Sequence, residues 1–203
     1  MTTALKKAMG LALPLHIKET LKGDDWVQKV MAFHVLNNLP MKPFGNVDPE
    51  FLHMPDSRVA LRAGFQVEEL IEMFEKGLGI KARVVVEING HEYDASDDDN
   101  IEKALAQSRH RSGREVADAA VDSAYFWIGF LIEMGYDMRV AFNEAHGSNL
   151  TKPGEDGKPI LNGITPGYQQ GEPGYRADQG IGKVLKGPNY MEPNLDAALG
   201  LEG

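Results

Sequence analysis

The sequence predicts an all-α protein: a helical bundle with one small β-hairpin inserted between two of its long helices and a Gly/Pro-rich C-terminal segment. Three observations carry that expectation. Apolar residues recur at helical spacing through most of residues 1 to about 150. One short stretch alternates instead, around Asn89-Gly90. Beyond it the texture changes, and over residues 153–193, 15 of 41 residues are Gly or Pro, too many for regular structure.

Taken in order, Asp25 suits the N-cap of a helix carrying Trp26, Val30, Phe33 and His34. Pro40, Pro43, Pro49 and Pro55 keep 39–55 irregular. Ser57 then caps a helix from 58 to about 77. Residues 83–88 and 91–94 flank Asn89-Gly90 as a hairpin with a type I′ turn. Asp97, Asp98 and Asp99 lack calcium-loop spacing and read as a solvated turn before a helix from Ile101. Further helices run from 113 to about 134 and from 137 to about 145. Within the Gly/Pro-rich segment, Pro166-Gly167-Tyr168-Gln169 and Pro173-Gly174-Tyr175-Arg176 form a near-repeat seven residues apart, read as a turn-rich insertion. The whole chain, 1–203, reads as one domain, with 153–193 as a loop segment within it.

Composition removes whole classes of function. With 21 Lys plus Arg against 30 Asp plus Glu, the formal net charge is −9. Such a surface argues against nucleic acid and anionic membrane as partners, because both demand clustered cations. Zero cysteines exclude disulfides, thiolate metal sites and a Cys nucleophile. No apolar run approaches the ~20 residues of a membrane span, and Pro14, His16 and Lys18 make the N-terminus a poor signal peptide. A cytoplasmic protein is the expectation.

The carboxylates carry the chemical signal. On the helix from 58, Glu68, Glu69 and Glu72 sit at about 0°, 100° and 40° around the axis. Alone they describe an ordinary wet face. On the helix from 113, Glu115, Asp118 and Asp122 share an arc of about 60°. Nearly everything else from 116 to 132 is apolar, which predicts a buried helix. Clustered buried carboxylates repel and lose hydration, and a shared divalent cation resolves that conflict. Hard oxygen donors suit Mg²⁺ or Mn²⁺. A di-iron centre needs Glu-x-x-His on two helices, and only Glu50-x-x-His53 fits, between two prolines.

Glu68-Glu69-x-x-Glu72 followed by Glu115-x-x-Asp118 resembles the E-E-x-x-E…E-x-x-D signature of the MazG-like all-α nucleoside triphosphate pyrophosphohydrolases. Phe33-His34, Leu39-Pro40 and Leu61-Arg62 are similar to the blocks that precede the glutamates in that family. The run from Asn143 to Lys152, then Gly157-Lys158-Pro159, and finally Gly182-Lys183-Val184-Leu185-Lys186-Gly187-Pro188-Asn189-Tyr190 resemble a phage and bacterial branch. Matching blocks extend from about Trp26 to Leu195. Gly147 departs from the branch, which usually carries Arg there, and 162–180 has no counterpart in it.

That resemblance implies the all-α pyrophosphatase bundle and hydrolysis of a nucleoside triphosphate to the monophosphate and pyrophosphate. It implies two or more Mg²⁺ or Mn²⁺ ions on Glu69, Glu72, Glu115 and Asp118, with Asp122 as an outer candidate. Glu68 is a further ligand or orients the attacking water. Lys152, Lys183 and Lys186 either follow the phosphates or merely solvate a loop, and the family match favours the first. Tyr190 would cover the site as segment 153–193 closes on it, and Asn143, Asn149 and His34 would lie near the nucleotide, although a core role suits His34 better. A homodimer or homotetramer is implied. A phage subgroup, MazZ, is associated with (d)GTP hydrolysis, which makes (d)GTP the sharpest substrate expectation and the host cytoplasm its place. The rival expectation is a non-catalytic nucleotide- or partner-binding protein that keeps the fold.

Overall fold

The structure, a computed structural model, describes residues 25–41 and 54–201. The N-terminal stretch, most of the proline-broken 39–55 segment and the Glu50/His53 pair lie outside the described residues. The fold is mostly α-helical with one two-stranded antiparallel sheet. It divides into two compact units, one holding residues 54–117 and 162–183, the other 25–41, 118–161 and 184–201.

In the first unit, helix α2 spans Asp56–Glu72; helix α1, Trp26–Leu36, belongs to the other unit. Ser57 is not its cap. Pro55 precedes the first turn and its carbonyl accepts from Arg58 N and Val59 N, while Asp56 pairs with Arg111 at 2.8 Å. Proline's fixed φ suits this position, so the helix begins two residues early without a capping side chain. After Glu72 the chain widens into a π turn, Met73–Gly77, closed by Leu78 N on Met73 O.

Strands β1 (Val85–Ile88) and β2 (His91–Asp94) pair as expected, with Ile88 opposite His91. Asn89 and Gly90 both take positive φ, 53° and 78°, which a type I′ turn requires. Helix α3 is Asp98–Gln107, and Asp97 caps it by accepting from Asp99 N at 2.9 Å. Ala60 of α2, Ala95 and Ile101 of α3 form the buried centre, with Val67, Val84, Val86 and Leu105 packed around it.

The expected turn-rich insertion has an organising residue. Asn162 is fully buried, and its amide donates to the carbonyls of Arg176 (2.9 Å) and Gln179 (2.6 Å) while its Oδ1 accepts from Arg176 N (3.0 Å). Its backbone exchanges bonds with Lys183 O and Gly182 N. The near-repeat folds on itself: Gly174 N donates to Gly167 O, and a methyl at Gly174 would stand 2.5 Å from the Tyr168 ring.

In the second unit, helix α1 (Trp26–Leu36) opens on a full capping box between Asp25 and Gln28. Helix α5 (Met138–Asn149) is capped by Asp137 and runs past the expected end at 145, because Gly147 continues the helix. Trp26 stacks on Phe142, which stacks in turn on buried His146. Lys29 Nζ ties α1 to α5 by donating to Asn143 Oδ1 at 2.9 Å. A short helix α6, Leu195–Leu199, packs on α5.

Helix α4 spans Gly113–Glu133, within one residue of expectation, but its predicted burial fails. No α4 residue is buried; Tyr125 is 74% and Phe126 68% exposed. Periodicity demands cover for such a helix without saying that the same chain supplies it. No helix among the described residues is long and apolar enough to cross a membrane.

Candidate functional site

Helix α2 presents Glu68, Glu69 and Glu72 together near its C-terminal end. Two of the three hold cations. Lys183 Nζ donates to both oxygens of Glu68, at 2.7 and 3.0 Å, and lies 5.4 Å from the centre of the Phe65 ring. Lys76 pairs with Glu72 at 2.8 Å, one turn along. Glu69 has no ion pair among the described residues. Desolvation, then repulsion from Glu72 and Glu68, push its carboxyl above the ordinary range, and Lys183 and Lys76 only partly oppose this.

The second carboxylate set differs from expectation. Glu115 pairs with its neighbour Arg114, and its N–H meets Ser112 Oγ at 3.3 Å. Glu115, Asp118 and Asp122 are all exposed, as are Glu68 and Glu69 on α2, while Glu72 is half-buried. The argument that burial forces these three to share a cation therefore fails in a single chain, and the crowding appears on α2 instead. Among the described residues, no three His, Asp or Glu side chains are grouped so that all could hold one metal ion.

The other expected site residues separate by unit. Lys183 stands with Glu68 in the first. In the second, Lys186 pairs with Glu192 at 3.3 Å and lies over the Tyr190 ring at 4.4 Å. Tyr190 Oη is 3.1 Å from Ser148 Oγ. Lys152 lies 5.9 Å from the Phe33 ring centre, and Asn143 accepts from Lys29. Asn149 is half-buried near the end of α5, and His34 Nδ1 is 3.2 Å from Pro40 O, within its own segment. Lys183 is no surface ornament, since its side chain is only 22% exposed. Its removal should disturb packing as well as ligand binding, whereas Lys186, 57% exposed, remains a surface charge.

Three residues beside this site had no expected role. Asn162 shapes the insertion that delivers Lys183. Arg58 lies half-buried on α2 beside Gly182. Asp98, expected in a solvated turn, is instead half-buried with its carboxylate against the backbones of Gly64 on α2 and Gly180 in the insertion. Burial raises its pKa, and Lys183 opposes the rise. The only sequence signal was negative: a glycine inside α2 weakens a helix unless something needs the space.

This contact yields a sign-reversed prediction. Gly→Ala inside a helix ordinarily stabilises by about 1 kcal/mol. At Gly64 the new methyl would overlap the Asp98 carboxylate, so Gly64→Ala should instead cost about 1–3 kcal/mol. In an Asp98→Ala background the ordinary sign should return. Urea unfolding of the four proteins in the cycle checks this; a more stable Gly64→Ala single variant would refute the contact.

No protein-family model, curated protein sequence or solved structure matches the chain.

Proposed function

We propose that the protein is a metal-dependent nucleoside triphosphate pyrophosphohydrolase of the MazG-like all-α type. The observation that carries the reading is Glu69, a carboxylate left without a cation between two others and held above its ordinary pKa by desolvation and by their charge. A site that is uncomfortable when empty is suited to divalent cations. The donors fit Mg²⁺ or Mn²⁺: carboxylate oxygens alone, with no sulfur in the chain except methionine. Glu69 and Glu72 would hold the ions, with Glu68 as a further ligand, and the resemblance adds Glu115 and Asp118 with Asp122 outside them. When bound, such ions polarise phosphoryl oxygens and lower the pKa of an attacking water.

The chain's own residues supply the rest. Lys183 neutralises Glu68 and holds a positive charge where a phosphate would lie beside the carboxylates. Phe65 gives that ammonium an aromatic face to rest on. The resemblance assigns Lys152, Lys186 and Tyr190 to the remaining phosphates, and (d)GTP is the proposed substrate, hydrolysed to (d)GMP. Incubation with each of the eight common NTPs and dNTPs in Mg²⁺, with the products identified, tests the reaction. Monophosphate and pyrophosphate are expected. Stepwise orthophosphate, full activity in excess EDTA, or no turnover of any nucleotide would sink it, the last leaving a nucleotide-binding protein.

We further propose a homo-oligomer in which α4 is covered by a second copy. A two-fold axis lets one apolar surface cover itself, and α4 exposes Val121, Tyr125 and Ile132 within an arc of about 40°, with Val116 and Phe126 exposed on its other sides. Light scattering at micromolar concentration should show a dimer or tetramer, and Tyr125→Glu with Phe126→Glu should reduce it to monomers. A monomeric wild type would refute this.

A further inference from the structure

The two lysines that meet the α2 glutamates are held in different ways. Lys76 reaches Glu72 from one turn along the chain with 72% of its side chain exposed, an ordinary surface pair. Lys183 reaches Glu68 from 115 residues away and donates to both of its oxygens, at 2.7 and 3.0 Å. Only 22% of its side chain is exposed. Its backbone is fixed as well. Lys183 N donates to Gly180 O at 3.1 Å, and Lys183 O accepts from Asn162 N at 3.0 Å. The ammonium is thereby tied to the neck of the insertion, where residues 162 and 183 meet. Gly180 lies against Leu61 of α2 and Asp98 of α3 through bare backbone, since a Cβ there would stand 2.6 Å from the first and 2.0 Å from the second.

An ion pair at this place has a natural competitor. An ammonium brings one charge to the crowded glutamates of α2, and a divalent cation brings two. Both would be drawn to the same Glu68 oxygens. A metal ion about 2.1 Å from either oxygen would stand at most about 5 Å from Lys183 Nζ, where the two cations repel strongly. The Phe65 ring, its centre 5.4 Å from Nζ, offers the displaced ammonium a neighbouring place on α2 that carries no competing positive charge.

We propose that Lys183 is a resident counter-ion of Glu68 that a divalent cation displaces, so that loading the α2 carboxylates releases the ammonium and loosens the neck of the insertion. The inference rests on the metal-dependent reading above and deepens it, because the ion that binds first frees a lysine beside it for a phosphate. Coupling of this kind is reciprocal: the factor by which the ion weakens the Lys183–Glu68 latch is the factor by which the latch weakens ion binding. The loosening stays local. Leu61, 1% exposed, remains under Gly180, and the Asn162 side chain holds Arg176 and Gln179 without help from Lys183.

Calorimetric titration of the full chain with Mn²⁺, and amide exchange with and without saturating Mg²⁺, test the latch. Lys183→Met keeps the packed stem and removes the charge. It should bind Mn²⁺ about fivefold or more tightly than wild type, the scale of one charge-assisted contact. Lys183→Arg keeps the charge and should bind close to wild type. Lys76→Met removes a charge from an exposed pair at the same cluster and should change affinity by less than about threefold. In wild type, Mg²⁺ should quicken exchange at the Lys183 amide by about threefold or more and leave the Arg176 amide unchanged. In Glu68→Gln, exchange at Lys183 should be quick already and indifferent to Mg²⁺. The wild-type exchange needs no variant and decides the matter should Lys183→Met not fold. If no nucleotide is hydrolysed but Mn²⁺ binds and both responses appear, the latch stands and the hydrolase reading fails. Lys183→Met binding no tighter than wild type or Lys76→Met, or wild-type Lys183 exchange indifferent to Mg²⁺, overturns the latch even where hydrolysis succeeds. No Mn²⁺ binding at millimolar concentration overturns both.

Discussion

Glu69→Gln is expected to remove hydrolysis while leaving the metal-free fold as stable as wild type or more so. The activity loss should be at least about 10²–10³-fold, the scale on which a site loses one electrostatic element of its transition-state machinery. The stability sign follows from the pKa direction. Desolvation, Glu72 and Glu68 raise the carboxyl of folded Glu69. A raised folded pKa favours the fold most below the unfolded value, and that advantage disappears as pH rises through the folded value. Where the carboxylate is ionised it is therefore a net cost to the fold, and glutamine removes that cost. In EDTA at pH 7 the variant should melt at or above the wild-type temperature. Its rise in melting temperature on adding Mn²⁺ should shrink, because ligand-linked stability tracks affinity. A lower melting point in EDTA with an intact Mn²⁺ response would mean that Glu69 is an ordinary structural carboxylate.

The two carboxylate sets were unequally legible in the sequence. Spacing alone placed Glu68, Glu69 and Glu72 on one helix, and the structure puts all three on α2. The same reasoning placed Glu115, Asp118 and Asp122 on α4 within a residue of its limits, but then inferred burial from the apolar residues around them. That inference joined two separate properties. Helical period is local and belongs to one chain; cover is supplied by whatever packs there, including another molecule.

Local chemistry was legible wherever one residue type dictates one conformation. Asn89-Gly90 fixed a hairpin turn and Asp25 an N-cap, whereas the caps made by Asp97 and Asp137 come from the structure alone. Ser57 misled because a proline already set the first turn. Asp98 misled because a run of aspartates looks solvated, whereas the bare backbones of Gly64 and Gly180, distant in sequence, make room for one of them. The insertion was least legible. Its Gly/Pro content excludes helix and strand without indicating what replaces them.

What replaces them depends on Asn162, and Asn162→Ala should have the largest stability effect of any substitution in the insertion. The wild-type side chain is fully buried and satisfies Arg176 O, Gln179 O and Arg176 N. Alanine leaves these backbone groups without that partner, and each buried group so stranded costs about 1–3 kcal/mol. A total of about 3 kcal/mol or more is expected, which lowers the melting temperature of a chain this size by roughly 6–12 °C. Asn162→Asp separates lost contacts from electrostatics. Its Oδ1 can still accept from Arg176 N, but its other oxygen would face the carbonyls that the amide now serves, so at neutral pH the change should be at least as damaging as alanine. Those carbonyls must hold the new carboxyl above its unfolded pKa, so part of the deficit should disappear as pH falls and the acid becomes a donor. The Asn162→Ala deficit should not follow that acid recovery. Because the Asn162 backbone bonds to Lys183 O and Gly182 N, loosening the insertion should also free Lys183 from Glu68. Amide exchange at Gly182 and Lys183 should then quicken in both variants more than exchange along α3. Parallel pH-dependent melts of the two variants, or protection at Lys183 unchanged from wild type, would show that the insertion holds its shape without Asn162.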